Sequence, residues 1–346
     1  MAYTTIDKSS DYFDTKLYTG NGGTQSITGL DFRPDWVWIK SRSNATEHSQ
    51  FDAPRGATKM IASSTFEQEQ TVANMLTSFN SDGFSLGSYS SQNGNGYSQV
   101  SWNWKANGAG SSNTAGSINT TKTSVSTTSG FSISTYTGTG SNATVGHGLG
   151  VAPKMIIVKC RSATETDWGV YHASLGNTKN LRLNRTDAVA TSSAFWNDTT
   201  PTSTVFSLGA NGNQNGNGGT YVAYCFAEKQ GYSKFSSYIG NGSATLPTFT
   251  YLGFKPAFVL IKNTTQADAW FLHDSKRDGF NDDNEYLRPN LTDAESSGTN
   301  RIRLLSNGFS VPTTDKSHNV SGNVYIYMAF AENPFVTSTG IPATAR

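Results

Sequence analysis

The chain has 346 residues, and its 26 basic and 25 acidic side chains leave a net charge of +1. Hydrophobic residues make up 35% of it, and no run of about 18 apolar residues occurs, which excludes a membrane-spanning helix. The lack of a dense Lys/Arg run argues against a nucleic-acid partner, and 19 Phe, 15 Tyr and 7 Trp argue against a disordered chain.

Many short apolar stretches separated by Gly, Asn and Ser favour an all-β protein of the sandwich or barrel class. The segment from Met1 to Asp7 has neither the basic nor the apolar region of a signal peptide, and only two cysteines occur, at Cys160 and Cys225. We therefore expect synthesis in a reducing cytosol, with both thiols free.

Four short motifs recur three times along the chain, always in the same order. They are a Tyr-x-Gly turn, a strand led by proline, a Phe-Ser strand and an aromatic closing strand. The first copies lie at 18–22, 34–40, 83–86 and 100–104, the second at 136–140, 153–159, 205–208 and 222–226, and the third at 238–242, 256–262, 308–311 and 326–330. This order predicts three tandem β-sandwich repeats, at 1–105, 131–230 and 231–334, followed by a tail at 335–346.

The strand after each proline has large side chains at alternate positions and β-branched ones between them. Since side chains alternate between the two faces of a strand, both faces of this strand are apolar. We therefore expect it to be a central strand that is covered on both sides. In the first closing strand, Val100, Trp102 and Trp104 alternate with Ser101 and Asn103, which predicts one buried and one solvated face.

The segments between these strands carry weaker signals. Gly-Asn pairs such as the one at 20–22 and the run 93–96 are typical of hairpin turns, and 66–76 is the one candidate helix. Between the first two repeats, 106–130 is dominated by Gly, Ser and Thr. Such a composition predicts a flexible linker that buries little surface and is cut first by proteases.

No residue pattern indicates a catalytic, cofactor or metal site. The histidines do not coincide between repeats: His48 aligns with Trp168 and Trp270, and His172 aligns with Asp52 and Asp274. A calcium loop at 278–285 is disfavoured, because its acidic residues lack the alternate spacing of an EF-hand and have no counterpart in the other repeats. Motifs of nucleophile elbows, phosphate loops and zinc proteases are missing from the sequence. We expect no cofactor, no metal and no enzyme activity.

The alternate large side chains after the prolines are the candidate contact residues. Flat aromatic side chains can anchor interfaces or stack on sugars, but the second and third repeats have aliphatic residues at these positions. Packing in a core or between domains or subunits is therefore the preferred interpretation. The candidates are Trp36, Trp38, Met155, Ile157, Phe258 and Leu260.

The motifs resemble a domain family that is repeated in tail-fibre and other virion proteins of tailed bacteriophages, notably marine ones. The resemblance spans nearly the whole chain except the linker and the last twelve residues. It rests on 16–22 (KLYTGNG), 32–40 (FRPDWVWIK), 51–56 (FDAPRG), 80–86 (NSDGFSL), 151–159 (VAPKMIIVK), 221–228 (YVAYCFAE) and 328–334 (MAFAENP). It implies a jelly-roll-like β-sandwich and a virion location, and it implies no chemistry.

The sequence therefore predicts a virion structural protein, a tail fibre or tail appendage that displays surfaces and adheres to the host. Similar modules repeated in one chain and multiplied by virion symmetry would convert weak contacts into avidity. We expect a homo-oligomer that contacts other virion proteins and binds a host surface glycan. Because the first repeat begins almost at Met1, a capsid decoration protein is an alternative, and a carbohydrate-binding or depolymerase tail protein is another.

Overall fold

The computed structural model describes residues 3–277, 285–297 and 300–342. Its first third begins with a single turn of 3-10 helix at Ser9–Asp11 and then consists of nine strands and one four-residue helix. They are β1 (Phe13–Thr19), β2 (Gln25–Ile27), β3 (Trp36–Ser41), β4 (Ser49–Asp52), β5 (Lys59–Ala62), β6 (Gln70–Thr71), β7 (Leu76–Asn80), β8 (Gly83–Leu86), α1 (Ser90–Asn93) and β9 (Ser98–Trp104).

The middle third has one additional strand at its start and a helical turn at the place of β7, and otherwise repeats this succession. It consists of β10 (Lys122–Ser126), β11 (Phe131–Thr137), β12 (Ala143–Gly146), β13 (Met155–Cys160), β14 (Gly169–His172), β15 (Lys179–Arg182), β16 (Ala190–Thr191), α2 (Ser193–Trp196), β17 (Val205–Leu208), α3 (Gly212–Asn215) and β18 (Thr220–Phe226).

Among its described residues the last third has seven strands. They are β19 (Ser233–Ile239), β20 (Thr248–Tyr251), β21 (Phe254–Asn263), β22 (Trp270–Asp274), β23 (Arg303–Leu305), β24 (Gly308–Val311) and β25 (Val324–Pro334). Two of them, β21 and β25, are longer than any strand of the first two thirds. The described residues contain no other regular element, so the predicted all-β fold is confirmed.

Three large antiparallel sheets share one strand order. Sheet 1 is β1-β9-β3-β4-β5-β6, sheet 2 is β10-β11-β18-β13-β14-β15-β16, and sheet 3 is β19-β25-β21-β22. In each sheet the post-proline strand (β3, β13 or β21) lies between the closing strand and the next strand along the chain. Each large sheet has a companion small sheet from the same part of the chain: β2-β8-β7, β12-β17 and β20-β24-β23.

The post-proline strands are covered on both faces, as predicted. Their β-branched side chains pack toward the companion small sheets, where Val37, Ile156 and Val259 belong to three separate cores. Their larger side chains face the opposite way and join one cluster that all three large sheets share. We call this shared cluster the hub. Each large sheet is therefore the middle layer between its own sandwich core and the hub.

Two expectations about surface segments are wrong. The segment 106–130 is not a free linker, because β10 pairs with β11 along 122–126 and Ile118 forms a parallel bridge to Val145. Its Ser and Thr residues suit a strand at a sheet edge as well as they suit a flexible chain. The second face of β9 is also not solvated, since Ser101 and Asn103 are fully buried and the Asn103 Nδ2 donates to Asp14 O.

Two weaker local interpretations also fail. The candidate helix at 66–76 contains the short strand β6 and the first residue of β7. The run 93–96 is not a hairpin turn, since it follows the helical turn α1 and leads into β9. In both places the pairing of distant strands overrides the local sequence pattern.

Candidate functional site

The hub brings together all six candidate contact residues: Trp36, Trp38, Met155, Ile157, Phe258 and Leu260. Aromatic rings connect each pair of large sheets. Between sheets 1 and 2 the Trp36 and Tyr224 rings are stacked with their centroids 4.5 Å apart. Between sheets 1 and 3 the Trp104 and Phe258 centroids are 5.6 Å apart. The six candidates are at most 1% exposed, so they contact other sheets of the same chain and are not available to a second subunit.

A buried ionic network reinforces the junction of sheets 1 and 2. The Asp52 carboxylate accepts from Arg55 Nε and, at 2.7 Å, from the Tyr224 hydroxyl of sheet 2. Arg55 also donates to Glu69, which in turn accepts from Arg161 of sheet 2 at 2.8 Å. Burial opposes the charge on Arg55, but the neighbouring carboxylates outweigh it and raise its pKa. The network is therefore charged and internally compensated.

The junction of sheets 3 and 1 repeats this network. Asp274 accepts from Arg277 Nε at 2.6 Å and from the Trp102 indole of sheet 1 at 3.0 Å. Glu295 accepts from Arg277 Nη1 and, at 2.8 Å, from Arg42 Nε of sheet 1. Residue types and geometry match those of the first junction, and only the hydroxyl donor is replaced by an indole.

The junction of sheets 2 and 3 has no such network among its described residues. His172, Leu175 and Val189 occupy the positions of the aspartate, arginine and glutamate. His172 Nδ1 accepts from the Ser174 N–H, so its Nε2 carries the proton and donates to Tyr327 O of sheet 3 at 3.2 Å. Burial lowers the pKa of His172 to about 4, so the ring is neutral. Leu175 and Val189 pack against the hub instead.

One backbone hydrogen bond occurs at all three junctions and shows that the contacts form a cycle. Glu69 N–H donates to Arg161 O, Val189 N–H donates to Thr264 O, and Glu295 N–H donates to Arg42 O, at 3.0, 3.0 and 2.8 Å. The first third of the chain therefore donates to the second, the second to the last, and the last to the first.

A lysine ends the recurring part of each post-proline strand, and its ammonium group is held by carbonyls. Lys159 Nζ donates to Thr166 O and to Phe66 O of sheet 1, and Lys262 Nζ donates to Asp268 O and to Thr186 of sheet 2. Lys40 Nζ donates to Ser41 O and Asn44 O. Burial lowers the pKa of all three lysines to about 8. These lysines fasten loops and do not face a cleft.

A buried asparagine fixes the loops at one end of each sandwich. Asn93 Nδ2 donates to Gly23 O and Gly87 O, and its Oδ1 accepts from the Asn21 N–H. Asn215 and Asn319 make the same type of contacts in the other two sandwiches. The recurring tyrosines help, because the hydroxyls of Tyr18, Tyr136 and Tyr238 donate to the carbonyl one residue before each asparagine. The three loop pairs are therefore held rigidly in the same way.

A cleft with a volume of about 450 Å³ lies where the first third of the chain meets Thr292. Its lining is polar apart from Ala45, Met60 and the ring of Tyr89, which is 37% exposed. Burial and the nearby Glu67 raise the pKa of the Glu47 carboxyl in this lining. Hydroxyl, amide and carboxyl groups beside an aromatic ring are the groups that contact a neutral sugar.

The titratable residues do not assemble into a metal site within the described part of the chain. His273 Nε2 and His318 Nε2 lie 3.0 Å apart in sandwich 3, a contact that the sequence did not predict. Burial lowers the pKa of both rings, which favours the neutral forms that can share one hydrogen bond. Cys160 and Cys225 are free and buried. The disfavoured calcium loop, 278–285, lies outside the described residues except for Glu285.

The junction networks are the main feature that the sequence interpretation missed. Their signal was present, since the pair Asp-x-x-Arg occurs at Asp52/Arg55 and again at Asp274/Arg277. The second repeat has His172 and Leu175 at these two positions. A search for residues common to all three repeats therefore does not find the Asp-x-x-Arg pair. The pinning asparagines do occur in all three repeats, but within Gly-Asn-rich stretches that are also typical of turns.

The comparison with protein families gives one match. A family model described as "Domain of unknown function (DUF7483)" matches residues 8–334 and thus spans all three large sheets. No curated protein matches the chain at a significant level. Within the described part of the chain, the helices are too short to span a bilayer. With nearly its whole length matched, the chain belongs to the DUF7483 family.

Proposed function

We propose that the protein is a non-enzymatic structural component of a tailed-bacteriophage virion, and that it acts as a tail fibre or tail-appendage subunit which adheres to the host. The observation that carries this proposal is the threefold repetition of one rigid loop pair on a hub. The loops pinned by Asn93, Asn215 and Asn319 have the same construction and are held by one interior. Repeated rigid surfaces of this kind suit adhesion through several weak contacts.

The chemistry of the interior supports a structural role. The carboxylates of Asp52 and Asp274 are closed off by arginines, and the three strand-end lysines are bound to carbonyls. These groups stabilise junctions and are not directed at a substrate. The cleft beside Tyr89 supports binding of a host surface glycan, because its hydroxyl, amide and carboxyl groups suit a sugar.

The test has two parts that separate the proposal from its alternatives. Mass spectrometry of gradient-purified particles should detect the protein in many copies, and labelled antibodies should locate it on the tail by electron microscopy. Purified protein added to host cells should then reduce phage adsorption. A head location without an effect on adsorption would favour a capsid decoration protein. Absence from particles would contradict both.

The glycan contact needs a separate experiment. Purified protein should bind host cells or isolated host polysaccharide, and Tyr89→Ala should weaken this binding at least about tenfold, as loss of a stacking ring does. Tyr97→Ala, which removes another tyrosine ring from the same third of the chain, is the matched control. Release of reducing sugar ends from the polysaccharide would instead identify a depolymerase.

A further inference from the structure

The three small sheets have equivalent edge strands that differ in how they are covered. These strands are β2, β12 and β20, each at one end of its small sheet. Their ladders establish the equivalence, because Ser26, Thr144 and Phe249 are paired with Ser85, Ser207 and Ser310 in the neighbouring strands. One fold therefore presents the same edge three times, and the three edges can be compared directly.

The chain itself covers the edge of β12. Ile118 N–H donates to Thr144 O at 2.9 Å, and Ser117 exchanges hydrogen bonds with Thr144 through both hydroxyls and backbone. Ile118 is 6% exposed and packs in the core of this sandwich. An extended segment of polypeptide is therefore the type of occupant that this edge accepts.

The edge of β2 is uncovered and polar. Ser26 and Thr28 are exposed, and the Ser26 hydroxyl lies 3.0 Å from that of Ser85. Asp14 and Lys16 place charges on β1, the adjacent edge of sheet 1. Polar and charged side chains at a sheet edge are the usual protection against pairing with another chain.

The edge of β20 is uncovered and apolar. Phe249 and Tyr251 are 49% and 50% exposed, and Leu246, two residues before β20, is 76% exposed. No strand of the described chain pairs with β20 on the side away from β24. The 20 residues from 235 to 254 contain no charged side chain. This edge has no strand cover like that of β12, and the charge beside it is the Lys234 ammonium of β19, which lies 5.4 Å from the centroid of the Tyr251 ring.

We propose that β20 is a dimerisation strand, which pairs antiparallel with β20 of a second copy of this chain. The segment Thr248–Tyr251 is its own complement, because a twofold axis at Thr250 places Phe249 opposite Tyr251 of the partner subunit. Cross-strand aromatic pairs of this kind stabilise antiparallel sheets, and the segment Thr248–Tyr251 itself carries no charge. The Tyr251 carbonyl points away from β24 and accepts from Lys234 Nζ at 2.9 Å, so the partner strand must displace this ammonium to donate to the carbonyl.

Burial of Phe249, Tyr251 and the exposed Leu246 would add the apolar area that two hydrogen-bonded strands alone do not supply. The proposal rests on the three edges alone and holds whether or not the protein is a virion component.

Sedimentation of the full chain tests the association. The unmodified protein should be a dimer at micromolar concentration, and Phe249→Lys should raise the dissociation constant at least about a hundredfold, because it places a charge at the centre of the interface. Ser26→Lys, at the equivalent position of β2, should leave the dimer intact. Circular dichroism should show that both variants are folded. A monomeric unmodified protein, or equal association of the two variants, would overturn the proposal.

Cysteine crosslinking tests the register. Thr250→Cys should form a disulfide-linked dimer under mild oxidation, because residue 250 of each copy meets its own counterpart across the twofold axis. Ser310→Cys, one strand further in on β24, should not crosslink. The native thiols of Cys160 and Cys225 are buried and give little background. Crosslinking of both variants, or of neither, would rule out this pairing.

Discussion

At the scale of single residues, the interior of this protein combines apolar packing with fully compensated charge. Asp52 and Arg55 have side chains that are 0% exposed, and every charge in their network has a partner. A buried charge pair contributes little net stability, yet the loss of one member leaves the other desolvated and unpaired. Substitution of a single charged residue at a junction should therefore lower the free energy of unfolding strongly.

Arg55→Leu should lower the free energy of unfolding by about 3–5 kcal/mol, because it leaves the Asp52 carboxylate buried without its cation. Urea unfolding near neutral pH measures the loss. Lys154→Leu, at an exposed position, should change stability by no more than about 0.5 kcal/mol. The double variant Asp52→His/Arg55→Leu copies His172 and Leu175 of the third junction and should recover part of the loss. Equal stability of Arg55→Leu and Lys154→Leu would refute the role of the network.

Acid should destabilise the protein between about pH 6.5 and pH 4. The pKa of His172 falls from 6.5 to about 4 on folding, so the unfolded chain binds more protons in this window. The contribution of His172 to the free energy of unfolding is therefore fully present above pH 6.5. It is lost as the pH falls toward 4, by up to about 3 kcal/mol. His172→Gln should remove only the share of His172, because burial also lowers the pKa of the other four histidines. Urea unfolding at several pH values measures the change, and a variant that loses as much stability on acidification as the unmodified protein would show that His172 does not contribute.

At the scale of elements, the segment 106–130 does more than connect the first two sandwiches, because it also covers the edges of two sheets. Its β10 becomes the outermost strand of sheet 2, and 116–118 lies along β12. One segment thus occupies the edges of both sheets of a sandwich. Its backbone groups are satisfied by β11, the next strand along the chain, and by β12, which lies further on, and its Gly-, Ser- and Thr-rich composition does not show this pairing.

Amide exchange should show that this segment is protected. The N–H groups of Ile118, Thr121 and Thr123 donate to Thr144 O, Thr135 O and Ser111 O at 2.9, 2.7 and 2.6 Å. In hydrogen–deuterium exchange, peptides covering 117–126 should therefore exchange orders of magnitude more slowly than an unstructured peptide. Ile118→Ser should speed exchange here and leave β18 unaffected. Exchange of 117–126 at the rate of a free chain would restore the linker interpretation.

The strands of this fold could be predicted from sequence where the pattern has one physical cause. Val37 and Ile39 alternate with Trp36 and Trp38, and two apolar faces demand cover on both sides whatever covers them. What supplies that cover could not be predicted. Trp36 meets Tyr224, which lies far along the chain, and an apolar face fits a core, a sister sheet or another subunit equally well. The solvated face predicted for β9 was wrong for a related reason. Polar residues on a strand are usually solvated, but Ser101 and Asn103 are buried.

At the scale of the whole molecule, the hub makes the three sandwiches interdependent. Each large sheet contributes one face to a common interior, so no sandwich can unfold without exposing part of the other two. The family model likewise covers 8–334 without interruption. The cooperative unit should therefore be the whole chain, although its length of 346 residues is typical of several domains.

Thermal unfolding should consequently be a single transition, with a calorimetric enthalpy equal to the van't Hoff enthalpy. Trp36→Ala should lower its midpoint without splitting it, at a cost of about 3–5 kcal/mol for removing a buried aromatic ring. Scanning calorimetry measures both. Three transitions, or a variant in which only one part melts earlier, would show that the sandwiches are independent.

The three edges of β2, β12 and β20 also determine the valence of the molecule. If three identical chains formed the same hub, each would present the same apolar edge. An assembly with three such edges would associate with others into an open network. Joining the sandwiches in one polypeptide lets the edges differ: one is occupied by residues 116–118, one carries Ser26, and one carries Phe249. A body with near-threefold architecture thereby has a valence of one, and its association through this surface stops at a pair.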